Sequence, residues 1–159
     1  MAEFIPYRFR IALFRAGQGE GRILCRGAFS EVGGLEATMT AKSLREGGRN
    51  WGEVQLAGPT RFATVVLKRG VTEVDDLYSW FDVTTRQANY GYRLDGSIEL
   101  FDPDGPETPR LTWRLHNAMA TRFKGPELSA TAHQVAIEEL HLVHEGLTLQ
   151  RRAEGGSHA

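Results

Sequence analysis

The sequence predicts a mainly β domain with few helices, on three observations. Glycine is abundant at 18 residues and proline scarce at 6, and the glycines fall between short apolar stretches, as turns fall between strands. Residues 7–14 alternate, with Tyr7, Phe9, Ile11 and Leu13 on one face and Arg8 and Arg10 on the other. Only one segment carries a convincing helical stripe. At 159 residues, 41% hydrophobic and 25% charged, the chain reads as one domain. A chain of this length buries roughly 70% of the surface its unfolded form exposes, so a core forms without metal or disulfide.

The first strand runs from about Tyr7 to Phe14. Gly17-Gln-Gly-Glu-Gly21 then reverses the chain into a second strand near Ile23 to Val32. Gly33-Gly34 separates that from a third near Leu35 to Ser43, giving an antiparallel meander. Residues 44–61 mix glycines and charges with no sustained period, and a structureless loop of this length is uncommon in a compact domain unless it has a function. Trp51 and Leu56 within it would lose favourable burial in water, which predicts that the loop docks on something else. Phe62 to Arg69 is apolar on both faces for most of its length, as a central strand requires.

After Gly70 comes the helix. Thr72 and Asp75 have capping-box-like spacing, Glu73 and Asp76 add negative charge at the positive end of the dipole, and Val74, Leu77, Tyr78 and Phe81 form the apolar stripe beside Trp80. Tyr92 to Phe101 and Arg110 to Thr121 read as two strands around the turn-rich Asp102-Pro-Asp-Gly-Pro106. Val135 to Gln150 fits a strand with a phase slip at Glu138-Glu139, or a helix lined by Ala136, Leu140, Val143 and Leu147. The strand is the reading taken, with Gly146 as a bend. Residues 1–150 then form one domain and 151–159 a polar tail.

Charge and composition exclude several functions. With 19 basic and 20 acidic residues the formal charge is -1, too little positive field for nonspecific binding to nucleic acid or an anionic membrane. A single cysteine, Cys25, forms no internal bridge. Neither a signal peptide nor a run of about 18 apolar residues is visible, which predicts synthesis in the cytoplasm. His141 and His144, with Glu138 and Glu145, would cluster as metal ligands on a helix but diverge on a strand, and they match no zinc motif. Gly17-x-Gly-x-Gly21 precedes a strand-like segment, so no helix dipole is there to hold a phosphate. Lys68-Arg69 and Arg122-Phe-Lys124 read as strand ends or ion-pair partners. No catalytic, cofactor or metal site is expected. A monomeric β-barrel that binds a small apolar ligand is the alternative class.

Beyond these patterns, Phe29-Ser-Glu-Val-Gly-Gly-Leu-Glu36, Arg45-Glu-Gly-Gly-Arg-Asn50, Leu67-Lys-Arg-Gly70 with Leu77-Tyr-Ser-Trp80, and Ser97-Ile-Glu-Leu100 occur in order. Trp113 through Asn117-Ala118, Lys124-Gly-Pro126, and Val135-Ala-Ile-Glu138 with His144-Glu-Gly-Leu147 follow. The series resembles the tail-tube proteins of contractile phage tails and phage-tail-like injection particles, with type VI secretion rings as relatives. The resemblance implies a tail-tube fold, a β-barrel or β-sandwich of antiparallel strands with one flanking α-helix. It implies hexameric rings stacked into a hollow tube inside a contractile sheath, with baseplate, spike and cap proteins as further partners. Cargo or DNA would pass the lumen without specific binding, no cofactor is implied, and the particle is assembled in the cytoplasm and can be released.

On that resemblance, residues 44–61 become the expected axial contact between rings. The expected subunit-interface residues are Phe29, Glu31, Gly33, Gly34, Arg45, Glu46, Gly47, Gly48, Arg49, Asn50, Trp51, Lys68 and Arg69. A polar lumen wall is expected around Glu36, Thr38, Thr40 and Lys42 or around Glu138, and the helix is expected on the outer rim. Joining sheet edges around a ring would satisfy their unpaired backbone groups.

Overall fold

The computed structural model describes residues 8–17, 23–27, 29–48, 51–71, 76–102, 108–131 and 136–151. In chain order the elements are β1 (Arg8–Arg15), β2 (Ile23–Gly27), β3 (Glu31–Gly33), β4 (Ala37–Met39), β5 (Lys42–Leu44), β6 (Val54–Leu56) and β7 (Thr60–Phe62). They continue with β8 (Val65–Gly70), α1 (Asp76–Thr85), β9 (Leu94–Phe101), β10 (Leu111–Lys124), β11 (Ile137–Val143) and β12 (Gly146–Arg151). The fold is mainly β with antiparallel pairing and one helix, as expected.

The 14-residue β10 organises the body. Its first half pairs with β9 on one side and β12 on the other, and its second half pairs with β11. The sheet order is β2-β1-β9-β10-β11-β8-β3, with β12 against β10. The change of partner falls at Asn117, whose φ of 53° puts it in the left-handed region, and the register with β9 shifts between Leu115 and Ala118. Asparagine tolerates that conformation, and an extra residue there bends the strand. The bend is braced from both sides: the Asn117 amide donates to Asp95 Oδ1 at 2.9 Å, its side-chain amide to Glu145, and the Glu145 amide to the His116 carbonyl at 2.9 Å. Glu145 lies between β11 and β12, so both long strands turn at one level.

Residues from both halves of the sheet meet in one core: Ile11 and Leu13 of β1, Leu94 and Ile98 of β9, Leu115, Ala118 and Ala120 of β10, Val65 and Leu67 of β8, Leu140 and Leu142 of β11. Helix α1 closes it with Leu77 and Trp80. The buried helical face is Leu77, Trp80 and Thr84. Phe81 packs partly buried against the core, so Leu77, Phe81 and the neighbouring Trp80 of the expected stripe face inward. Tyr78 is half exposed and meets Phe123 edge-on at 5.5 Å. Val74 and the capping residues Thr72, Glu73 and Asp75 lie outside the described residues, as do the reversal at Gly19 to Gly21, the turn at 103–107 and the tail from Arg152.

Several expected boundaries are corrected. The single strand over 23–32 is two strands at opposite ends of the sheet, β2 on β1 and β3 on β8. The strand over 35–43 is β4 and β5, which leave the body altogether. Phe62 to Arg69 is not continuous: β7 belongs with β4, and β8 begins after Ala63-Thr64. Val135 lies outside the described residues; beyond it the expected strand is two strands, β11 and β12, separated at His144-Glu145, and along β11 the phase does not slip. Glu138 faces the same way as Leu140 and Leu142, because in register they oppose Arg69, Leu67 and Val65 of β8.

Candidate assembly interface

Residues 44–61 do not form an irregular loop. β4 pairs with β7 from Ala37↔Phe62 to Met39↔Thr60, and β5 pairs with β6 from Lys42↔Leu56 to Leu44↔Val54, making a two-stranded arm. Where the two ladders meet, the Thr40 amide donates to the Pro59 carbonyl at 3.1 Å, and Gly58 lies so close that a Cβ would overlap the Thr40 carbonyl oxygen. A strand lying on the body would bury every second residue. Here almost every position of both strands is exposed, so the arm stands clear of the core. Met39, Leu44 and Leu56 are about half exposed, and Trp51 at the tip is 93% exposed.

The arm is fixed at its base. Gly34 has a φ of +86°, and a Cβ there would overlap the Thr64 carbonyl oxygen, so only glycine fits the turn out of β3. The Ala63 amide donates to the Glu36 carbonyl at 3.0 Å, and the Phe62 ring lies 5.1 Å from that of His144. His144 Nδ1 donates to the Gly146 carbonyl at 3.0 Å while its buried Nε2 has no partner. Burial pushes its pKa below the ordinary value, with the Gly146 bond opposing and His116 adding to the shift.

The expected interface residues fall into three groups. Arg45, Glu46, Gly47, Gly48 and Trp51 lie in the outer, exposed part of the arm, while Arg49 and Asn50 lie outside the described residues. Glu31 and Lys68 face each other across the β3–β8 pairing, 3.6 Å apart, and Gly33 and Gly34 lead into the arm. Phe29 and Arg69 are buried within their own chain. The Arg69 side chain is 3% exposed. Its Nε donates to Glu138 at 2.7 Å, its Nη1 to Asp76 at 3.2 Å, and its guanidinium lies 5.5 Å from the Phe29 ring centre. Arg69 therefore ties α1 to β8 and β11. Glu138 is part of that network, and Glu36 to Lys42 lead into and belong to the arm.

A polar sheet face that periodicity did not single out lies elsewhere. In register across β1, β9, β10 and β12, Arg10, Glu99, Thr112 and Gln150 form one row, and Ser97, Arg114 and Thr148 share the same face. Arg10 pairs with Glu99 at 3.0 Å, and Arg114 donates to the neutral amide oxygen of Gln150 at 3.3 Å.

The two histidines have separate partners. His141 hydrogen-bonds to Glu139, which holds that carboxyl below its usual range against the opposing cost of burial, with Lys68 and Lys124 adding. Among the described residues no group of three or more His, Cys, Asp or Glu is placed to hold a metal ion. None of their helices is long and apolar enough to cross a membrane. An open cleft of about 520 Å³ lies beside β3, β8 and the end of β11, with Leu128 and Ile137 among its lining and Glu31, Lys68, Lys124 and Glu127 around it.

A packed antiparallel body with a polar sheet face, edge strands and an exposed arm is the architecture of a structural subunit of the tube-forming β class. The family model described as T4-like virus tail tube protein gp19 matches residues 6–148, and the chain belongs to that family. Among solved structures, a chain of the anti-feeding prophage baseplate is 25% identical with a TM-score of 0.78, covering 95% of this chain and 97% of that one. A chain of the sheath-tube complex of the extracellular contractile injection system PVC, in the extended state, is 25% identical with a TM-score of 0.74 and 95% coverage of both chains. Hcp1 from Flavobacterium johnsoniae shares the fold at 14% identity, with a TM-score of 0.55 and coverage of 90% and 96%. None of the curated protein sequences matches. A monomeric ligand-binding barrel is not favoured: side chains from both halves of the sheet fill the interior.

Proposed function

We propose that this chain is the non-enzymatic inner-tube subunit of a contractile injection particle, closing laterally into hexameric rings that stack axially through the arm. The observation that carries the axial role is the arm itself: two paired strands exposed on both faces, with Met39, Leu44, Trp51 and Leu56 uncovered. Such a surface is costly in an isolated protein and gains by burial in a neighbour. The lateral joint runs through the sheet edges. β2 ends the sheet on one side, and β12, whose last four residues are exposed, pairs only with β10 among the described strands. Edge-to-edge closure around a ring satisfies both.

The lumen wall in this reading is the face bearing Arg10, Glu99, Thr112, Arg114, Thr148 and Gln150. It presents charged and neutral polar side chains to passing cargo or DNA, with Arg10 paired to Glu99 and Arg114 bonded to Gln150. α1 lies on the outer side, where Tyr78 and Ser79 face the sheath. The tube ends meet baseplate, spike and cap proteins, and the particle is assembled in the cytoplasm and released. Negative-stain microscopy with size measurement on purified protein tests this. Rods or stacked rings are expected, and compact monomers across a wide concentration range, with no rods in native particles, overturn it.

A further inference from the structure

The arm and the cleft lie at opposite ends of one half of the sheet. The arm leaves beside Gly33↔Val66 and Leu142↔Val65, whereas the cleft sits by Glu31↔Lys68, Glu139↔Lys68, Lys124↔Glu139 and Ile137↔Gly70. Along β8 the arm's exit at Val65 and the cleft-lining Lys68 are three residue steps apart, about 10 Å at about 3.3 Å each, and Ile137 lies two steps further on, opposite Gly70. The arm spans about 23 Å from Ala37 to Leu44 by the same measure, and carries Trp51 beyond that. A projecting group on one end and a receiving hollow on the other is the arrangement that builds an open head-to-tail stack rather than a closed pair.

We propose that Trp51 of one copy seats in the cleft of the next copy along the stack, against Leu128 and Ile137. Leu128 is 86% exposed and Ile137 is 43% exposed, so the cleft offers apolar surface that its own chain does not cover. Its volume, about 520 Å³, admits an indole together with a flanking polar side chain. Glu31 and Glu127 on one hand and Lys68 and Lys124 on the other offer both signs of charge to Arg45, Glu46 and Glu53 near the tip. A desolvated tryptophan at the centre of a charged rim is the usual anatomy of a dominant interface contact. The inference rests on the tube reading and assigns the receiving surface within it.

The test uses full-length protein with Cys25→Ser, the chain's single cysteine, as background. Trp51→Cys and Leu128→Cys are made separately, mixed, assembled and oxidised, then run on a non-reducing gel. A cross-linked dimer that needs both proteins supports the proposal. Rods that assemble while Leu128→Cys stays open to alkylation show the cleft uncovered in the stack and overturn the proposal without touching the tube reading. A background protein that never assembles overturns both. In parallel, Trp51→Ala is expected to raise the concentration needed for stacking by about thirtyfold, with Trp51→Phe recovering most of it. Unchanged stacking by Trp51→Ala also overturns the proposal.

Discussion

Replacing Arg69 by methionine is expected to cost about 3–5 kcal/mol of folding stability, because it leaves Asp76 and Glu138 inside the protein without their cation. The side chains of Arg69, Asp76 and Glu138 are 3%, 12% and 13% exposed, so solvent screens the arginine little and the carboxylates somewhat more. The residual access places the expected loss near the lower end, about 3 kcal/mol, still a large share of a typical 5–15 kcal/mol. Methionine fills much of the volume of the arginine stem, so a cavity contributes little. The control is the triple variant Arg69→Met, Asp76→Leu, Glu138→Leu, which removes the stranded charges and should recover to within about 1 kcal/mol of the parent. Urea unfolding followed by circular dichroism, below the concentration at which copies associate, measures both. An Arg69→Met protein within about 1 kcal/mol of the parent, or a triple variant no better than the single one, refutes the assignment of this network as internal.

Three further outcomes follow from the arm and its base. His144 is held neutral by burial, so the unfolded chain takes up its proton before the folded one does; stability is flat above the unfolded pKa of about 6.5 and falls as pH drops below it. His144→Phe should flatten that limb in pH-dependent thermal melts, and an unchanged slope counts against it. Gly34→Ala should destabilise by at least about 1 kcal/mol from the left-handed backbone alone, with the overlap on Thr64 adding to it, as read by denaturant midpoint. Replacing residues 38–61 by Asn-Gly, which joins the paired residues Ala37 and Phe62 through a two-residue turn, should change monomer stability by no more than about 0.5 kcal/mol yet abolish stacking. A variant that still forms rods shows that the axial contact lies elsewhere.

Where a strand has one face in the core, its alternation was readable: β1 and β9 appear in the sequence within a residue or two of their ends. Three places were not readable, for different reasons. The arm strands are three residues each and bury neither face, so no period marks them. At Glu138 a charge occupies a core-facing position, which looks like a phase break until Arg69 is found opposite. At Asn117 the bend leaves only one signal, an asparagine amid apolar alternation, where a left-handed residue is tolerated.

These failures separate two kinds of departure from pattern. Glu138, Arg69 and Asn117 break the rule and are answered within the chain, each by an identifiable partner. Trp51, Met39, Leu44 and Leu56 break it and are left about half exposed or more by the described residues. Local inconsistency in a folded sequence concentrates at strained or functional sites. A departure that the fold resolves is therefore structural, and one it leaves open points outward. On that criterion Phe29 and Arg69 serve the fold of their own subunit, and the arm is the surface left for the proposed contact with a neighbouring copy.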